Sequence, residues 1–232
     1  MAHQNKTLLV IGAGPGIGRS ITTLFASNGY TNVALFARSG NGLAGEQKAV
    51  EESIGSNGKV KTYQVDAADT EALAKALAEA DADFGKPDCI FYNAARVRPS
   101  ELLTHDLKEI EYDFKINVSG LYTVSQHYMP HLLDLAKKDP KAQPSLIVTS
   151  SCLPLQPVPQ FFALSLVKAA QRNMVQSMNM TYTQQGVSVG LINVGGPVTA
   201  DHPTRNPPNI ADKSWAWFSQ LREKPSFEVL IE

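Results

Sequence analysis

One short segment constrains the start of this fold more than any other. Gly12-Ala13-Gly14-Pro15-Gly16-Ile17-Gly18 lies between an apolar run of strand length, Thr7–Ile11, and a segment of helical period, Gly16–Asn28. A chain that leaves a strand and enters a helix through glycines can bring its backbone against a diphosphate, whose charge is then held by helix N–H groups. A tight packing turn would use the same residues. The strand before and the helix after are what favour the phosphate reading, even though the spacing is G-x-x-x-G-x-G and not the G-x-G-x-x-G of many dinucleotide sites.

The rest of the chain repeats this strand-then-helix unit. Val33–Ala37 precedes Ala44–Ile54, Val60–Val65 precedes Thr70–Phe84, and Cys89–Tyr92 precedes a long helix over about Asp106–Leu135. Leu146–Ser150 then precedes a helix over about Ala163–Gln185, and Val187–Asn193 and Phe227–Ile231 complete the set, the last at an edge. Short apolar runs alternating with longer segments of helical period predict an α/β fold, a seven-stranded parallel sheet with helices on both faces. The stretch Gly195–Pro208 has no period and is rich in Gly, Pro, Asn and Asp, as lids and binding loops are. A substrate loop is expected over about 195–212, with a short helix around Lys213–Glu223. With no repeat, low-complexity tract or linker, residues 1–232 are expected to form a single domain.

Composition excludes several functions. At 232 residues, 43% hydrophobic and 19% charged, the chain suits one large domain. Its net charge of -1 offers no basic field for nucleic acid or an anionic membrane. The apolar run after Met1–Lys6 is too brief for a signal peptide or a membrane span. Cys89 and Cys152 have neither metal-ligand spacing nor a disulfide framework. The chain therefore reads as cytoplasmic and metal-free, acting on a small molecule.

At the end of the second expected strand, an acidic residue would take a ribose 2′-hydroxyl and a basic one a 2′-phosphate. Here the chain reads Ala37-Arg38-Ser39. With no carboxylate in that stretch and a planar donor fork on Arg38, NADP(H) is favoured over NAD(H). The other reading of Arg38 is a solvated surface charge.

Ser151, Leu164 and Lys168, following that glycine turn, resemble the layout of the short-chain dehydrogenase/reductase family over about Lys6–Thr199. The resemblance implies a doubly wound Rossmann fold with Gly12, Gly14, Gly16, Ile17 and Gly18 around the pyrophosphate and Arg38 and Ser39 at the 2′-phosphate. It puts Asp66 and Ala67 at the adenine, although Asp66 is equally a candidate N-cap of the next helix. Asn93-Ala94-Ala95 is similar to the family's Asn-Ala-Gly beneath the cofactor. In Gly195-Gly196-Pro197-Val198-Thr199, Gly196 and Val198 would meet the nicotinamide carboxamide. The family's catalytic residues correspond to Asn117, Ser151 and Lys168, with Lys168 also on the ribose. A homodimer through the two long helices is implied as well.

The family's proton donor is a Tyr four residues before that Lys, and this chain has Leu164 there. Hydride delivered to a carbonyl leaves an alkoxide that needs a proton, and an adjacent ammonium lowers the pKa of a phenol towards neutrality. Leu supplies no proton. Two functions follow. One is an NADP(H)-dependent reductase-like oxidoreductase with altered proton delivery, acting on an iminium, an enone or an activated carbonyl. The other is a cofactor-binding protein of this fold without redox turnover. Asp201 and His202, on the long loop, are substitute donors by position; Tyr122 and Cys152 have less to favour them.

Overall fold

Every strand of the sheet runs in the same direction, because a helical connection carries the chain back after each one. The computed structural model describes residues 6–220 and 225–232, the side chain of Asn57 excepted. The order is β1 (Thr7–Ile11), α1 (Ile17–Ser27), β2 (Asn32–Ala37), α2 (Gly40–Ile54), β3 (Lys59–Gln64), α3 (Thr70–Phe84) and β4 (Cys89–Tyr92). Then come α4 (Leu107–Phe114), α5 (Gly120–Lys138), β5 (Ser145–Ser151), α6 (Phe162–Tyr182), β6 (Ser188–Val194), α7 (Pro207–Phe218) and β7 (Glu228–Ile231). The seven-stranded sheet has the order β3-β2-β1-β4-β5-β6-β7. The chain steps outward from β1 to β3, then returns to lay β4 on the other side of β1. That reversal opens a crevice beyond the carboxyl ends of β1 and β4.

Both faces of the sheet are covered, so its central strands read as continuous apolar runs. Along β1, Leu9 and Ile11 pack in one core with Leu77 of α3, Tyr128 of α5 and Val175 of α6. Leu8 and Val10 pack in the other with Phe25 of α1, Val50 of α2 and Trp217 of α7.

Two close approaches depend on glycine. Gly12 has φ +92, and a Cβ on it would lie 2.5 Å from the backbone nitrogen of Ala94. Only a residue without a side chain lets the end of β1 pass the end of β4 at this distance. A Cβ on Gly120 would lie 2.5 Å from the carbonyl oxygen of Ala67 and 2.6 Å from the hydroxyl of Tyr92.

The long helix expected over Asp106–Leu135 is interrupted. Lys115–Ser119 form a π-helical turn between α4 and α5. Such a turn changes where carbonyls point, and the Ile116 carbonyl accepts from the buried hydroxyl of Tyr92. Toward the C-terminus, the expected loop over 195–212 and the helix over Lys213–Glu223 are corrected. Helix α7 begins at Pro207, with the Asn206 side chain accepting from the amide of Asn209 at 2.9 Å. Asn206-Pro207 reads as loop punctuation, yet it is an N-cap followed by Pro at the first helical position. The expected end at Glu223 lies outside the described residues.

Gly120→Ala is expected to destabilise by about 1–3 kcal/mol, because the added methyl meets a carbonyl oxygen that cannot move freely. Gly45→Ala on α2, where the nearest atom is the tip of Arg19 at 4.0 Å, should instead stabilise by up to ~1 kcal/mol. Urea midpoints measure both, and a gain in the Gly120 variant would contradict this packing.

Candidate functional site

The crevice at the strand reversal is a cleft of about 360 Å³. Gly12, Ala13 and Gly14 after β1 border it, as do Arg38 and Ser39 after β2, Asp66 and Ala67 after β3, and Asn93, Ala94 and Ala95 after β4. The structure thus brings together residues from four strand ends that the sequence assigned to one ligand. Above the turn there is room: a Cβ on Gly14 or Gly16 would meet nothing within 4 Å. Gly16 stands at the N-cap of α1 with no side-chain cap, and the first turn, which holds Ile17 and Gly18, has no acidic residue. An uncapped helix start with open space before it suits an anion.

At the far end of the cleft, Ser39 stands at the N-cap of α2 without capping it. Arg38 is exposed and donates from Nη1 to the Tyr112 hydroxyl at 3.1 Å, which in turn donates to Oδ2 of Asp66. Arg96 lies over the Tyr112 ring at 4.2 Å and pairs with Asp113 and Glu109. Asp66 is not the N-cap of α3. Its Oδ1 accepts from the amide of Ala68 at 2.9 Å, and the cap is Asp69, accepting from Ala72 at 3.0 Å.

Sequence reasoning missed Glu46, a carboxylate that also borders the cleft and is 3% exposed. Its two oxygens accept from Arg19 at 2.9 and 2.7 Å. A bidentate pair of this kind neutralises the carboxylate, which leaves Arg38 and, joined to it through the Tyr112 hydroxyl, Asp66 as the charges at this end. The spacing that could have revealed the pair runs between two helices, which no local motif records.

Gly16, Ile17, Gly18, Asn117, Ser151, Leu164, Lys168, Gly196 and Val198 do not border this cleft. Lys168 is 6% exposed, and its Nζ donates to the carbonyl of Thr149 at 2.9 Å and to Oε1 of Gln171 at 2.8 Å. Burial pushes this amine down to about 7, because the charged form loses its hydration. Gln171 is fully buried and donates from Nε2 to the carbonyl of Asn117 at 2.8 Å. Asn117, in the π-helical turn, donates from Nδ2 to the carbonyl of Asp113, while its Oδ1 is buried without a partner. Leu164 is buried in the first turn of α6. Ser151 ends β5, half-buried, its hydroxyl accepting from the Leu153 amide at 3.3 Å.

Lys168, Gln171 and Asn117 connect to the glycine turn by way of Thr149, whose carbonyl receives the Lys168 amine. The Thr149 hydroxyl donates to Oδ1 of Asn93 at 2.9 Å, and Asn93 donates from Nδ2 to the carbonyl of Gly12 at 2.9 Å. Gln171 is the member that sequence reading missed, since a lone Gln on a helix reads as solvated. The available signal is its position one turn after Lys168, on the face that also buries Leu164, Val167 and Val175.

The remaining candidates have other partners. Gly196 lies against the guanidinium of Arg205, and Val198 packs on the core that holds Trp217. His202 uses Nδ1 to accept from the amides of Thr204 at 3.2 Å and Arg205 at 2.9 Å, tying the loop together. Cys152 donates to the Gly195 carbonyl at 3.7 Å, and Tyr122 is 58% exposed. Among the described residues, no helix is long and apolar enough to cross a membrane, and no group of His, Cys, Asp and Glu is placed to hold a metal.

Known proteins are similar to this chain in sequence and in fold. Oxidoreductase UcpA of Salmonella typhimurium is 26% identical over 188 residues, 81% of this chain and 67% of that protein. Glucose 1-dehydrogenase of Gluconobacter oxydans is 26% identical over 194 residues, covering 84% of this chain and 70% of the relative. Among solved structures, a metagenomic short-chain oxidoreductase in complex with NADP superposes with a TM-score of 0.83 at 23% identity, over 98% of this chain and 96% of that one. A short-chain dehydrogenase from Rhodopseudomonas palustris superposes with a TM-score of 0.82 at 22% identity, over 99% of both chains. The family model of short chain dehydrogenases matches residues 6–208, most of the chain, and the chain belongs to the short chain dehydrogenase family.

Proposed function

We propose that this protein is an NADP(H)-dependent oxidoreductase whose proton delivery differs from that of a tyrosine-bearing relative, acting on an iminium, an enone or an activated carbonyl. The observation that carries the cofactor reading is the open space at Gly14 and Gly16 before the uncapped start of α1. Arg38 and the uncapped start of α2 at Ser39 support a 2′-phosphate at the other end of the same cleft. That a similar fold was solved with NADP bound adds to this reading.

In this assignment, Gly12, Gly14, Gly16, Ile17 and Gly18 hold the pyrophosphate through the backbone, and Arg38 and Ser39 hold the 2′-phosphate. Asp66 and Ala67 border the adenine, and Asn93, Ala94 and Ala95 form the floor. Gly196 and Val198 meet the carboxamide, and Lys168 takes the ribose hydroxyls. The bound nicotinamide supplies the hydride. Ser151 orients the substrate by its hydroxyl. Asn117 helps to hold the α4–α5 turn against α6, through its carbonyl on Gln171. Leu164 brings an apolar wall and no proton. General acid catalysis is typically worth ~10²–10⁴ in rate, so a plain ketone is a poor substrate and one whose electrophilic carbon needs little acid help is favoured.

A second reading, a cofactor-binding protein of this fold without redox turnover, is favoured by the same Leu164 together with the inward hydrogen bonds of Lys168. The free thiols of Cys89 and Cys152 fit a reducing compartment, and a cytoplasmic location is part of the proposal.

The assembly is proposed to be a homodimer. Helices α5 and α6 leave a groove of about 540 Å³ lined by Tyr122, Met129, Leu133, Met174, Met178 and Tyr182. An apolar face of this kind on two adjacent helices suits a second copy related by a two-fold axis.

Two measurements test these assignments. Calorimetry should give a dissociation constant for NADPH at least about tenfold below that for NADH, and Arg38→Ala should remove most of the difference, since a hydrogen bond to a charged group contributes roughly 1.5–3 kcal/mol. Equal affinities in the unaltered protein would sink the NADP(H) assignment. Light scattering at micromolar concentration should report twice the mass of one chain, and Met174→Asp with Met178→Asp should halve it. A monomer before any substitution would refute the dimer.

A further inference from the structure

Beyond holding the Asn117 carbonyl, Gln171 has no assigned role above, yet its surroundings are unusual for a primary amide. It lies in the middle of α6 at 0% exposure, on the face that also buries Val167 and Val175. An amide in such a place is unfavourable unless both of its ends are bonded. Both are: Oε1 accepts from Lys168 and Nε2 donates to the carbonyl of Asn117. One side chain therefore joins the buried amine to the π-helical turn.

The consequence lies in the donor geometry of Lys168. A protonated amine has three N–H groups, and a neutral one has two and a lone pair. The Thr149 carbonyl and Gln171 Oε1 take two directions. One direction is left, and it holds a proton in the charged form or a lone pair in the neutral form. No charged neighbour sets the balance. On the packed elements, Asp113 of α4 is held by Arg96, and Arg172 of α6 is held by Glu228 of β7. Burial alone lowers the amine, to about 7.

We propose that Gln171 is a positioning residue of this site: it fixes Lys168 with one free N–H direction and tunes the uptake of a proton by Lys168 when NADPH binds. This rests on the NADP(H) reading. Acceptors on the bound cofactor favour the ammonium, so the lone pair of Nζ forms an N–H bond with a proton from the buffer.

The test is the number of protons taken up per NADPH bound, obtained by calorimetry in pairs of buffers that differ in ionisation heat, across pH 6.5–10. The range brackets the lowered value of Lys168 and the ordinary lysine value near 10.4. The unaltered protein should show uptake around pH 8, and Lys168→Met should lose it. Gln171→Met removes an acceptor that stabilises the ammonium, so its uptake profile should move to lower pH by about one unit. Gln171→Glu offers a carboxylate to the same amine and should move the profile to higher pH. Profiles of the Gln171 variants that coincide with that of the unaltered protein would mean that Gln171 is only structural, and would overturn the inference. So would an unaltered protein that binds NADPH with no uptake anywhere in the range, whatever the stability of the variants. Failure to bind NADPH at all would remove the cofactor reading as well, so the two failures are distinguishable.

Discussion

The side-chain amide of Asn93 holds the ends of three neighbouring strands at one point. From the end of β4, its nitrogen donates to the carbonyl of Gly12 after β1, and its oxygen accepts from the hydroxyl of Thr149 on β5. Gly12 can approach so closely only because it has no side chain, and its φ of +92 turns the chain towards α1. The position of the glycine turn over the cleft follows from this junction. So does the connection to the buried amine of α6, because the carbonyl of the same Thr149 receives Lys168. A loss at Asn93 would leave a carbonyl and a hydroxyl without partners at the centre of the site, where unpaired polar groups are most costly.

Electrostatics in the cleft follows from pairings that the chain makes across long sequence distances. Glu46 would oppose a phosphate if it stood alone, but Arg19 holds both of its oxygens. Asp66 is engaged by Tyr112, and Tyr112 lies beneath Arg96, itself bound by Asp113 and Glu109. Arg38 shares a hydrogen bond with the same phenol and still has donors free for an anion, since a guanidinium carries five. Two of the carboxylates bordering this end, Glu46 and Asp66, are thus engaged by partners of their own, and the free donors of Arg38 remain available to an anion.

Much of this fold is legible in the sequence where local rules and tertiary packing agree. The runs Thr7–Ile11, Thr70–Phe84 and Cys89–Tyr92 appear as β1, α3 and β4 with the expected bounds. Gly12 and Gly14 of the glycine turn, Arg38, Asp66 and Asn93 do border one cleft, because each follows a strand whose carboxyl end the parallel topology brings to the same edge. What the sequence concealed is non-local. The π-helical turn at Lys115–Ser119 answers the hydroxyl of Tyr92, a residue on another element. The burial of Glu46 depends on Arg19, and that of Gln171 on the Asn117 carbonyl, partners on other elements that no local spacing announces. Asn206-Pro207 was legible in principle, but a proline after an asparagine in a Pro-rich stretch is as common in loops as at helix starts.

Leu164 is the residue on which the functional account turns, since it is buried at the head of α6 with no polar atom to offer. The most direct measurement is the loss of reduced-nicotinamide absorbance when a simple ketone is supplied to the unaltered protein and to Leu164→Tyr, with an iminium and an enone as companions. The account predicts near-background ketone reduction in the unaltered protein, consumption of NADPH with the iminium or the enone, and a rise with the ketone of up to ~10²–10⁴ in the variant. Ketone reduction by the unaltered protein at about 1–10³ s⁻¹, the range of ordinary enzymes, would contradict it, because some other residue would then be delivering the proton.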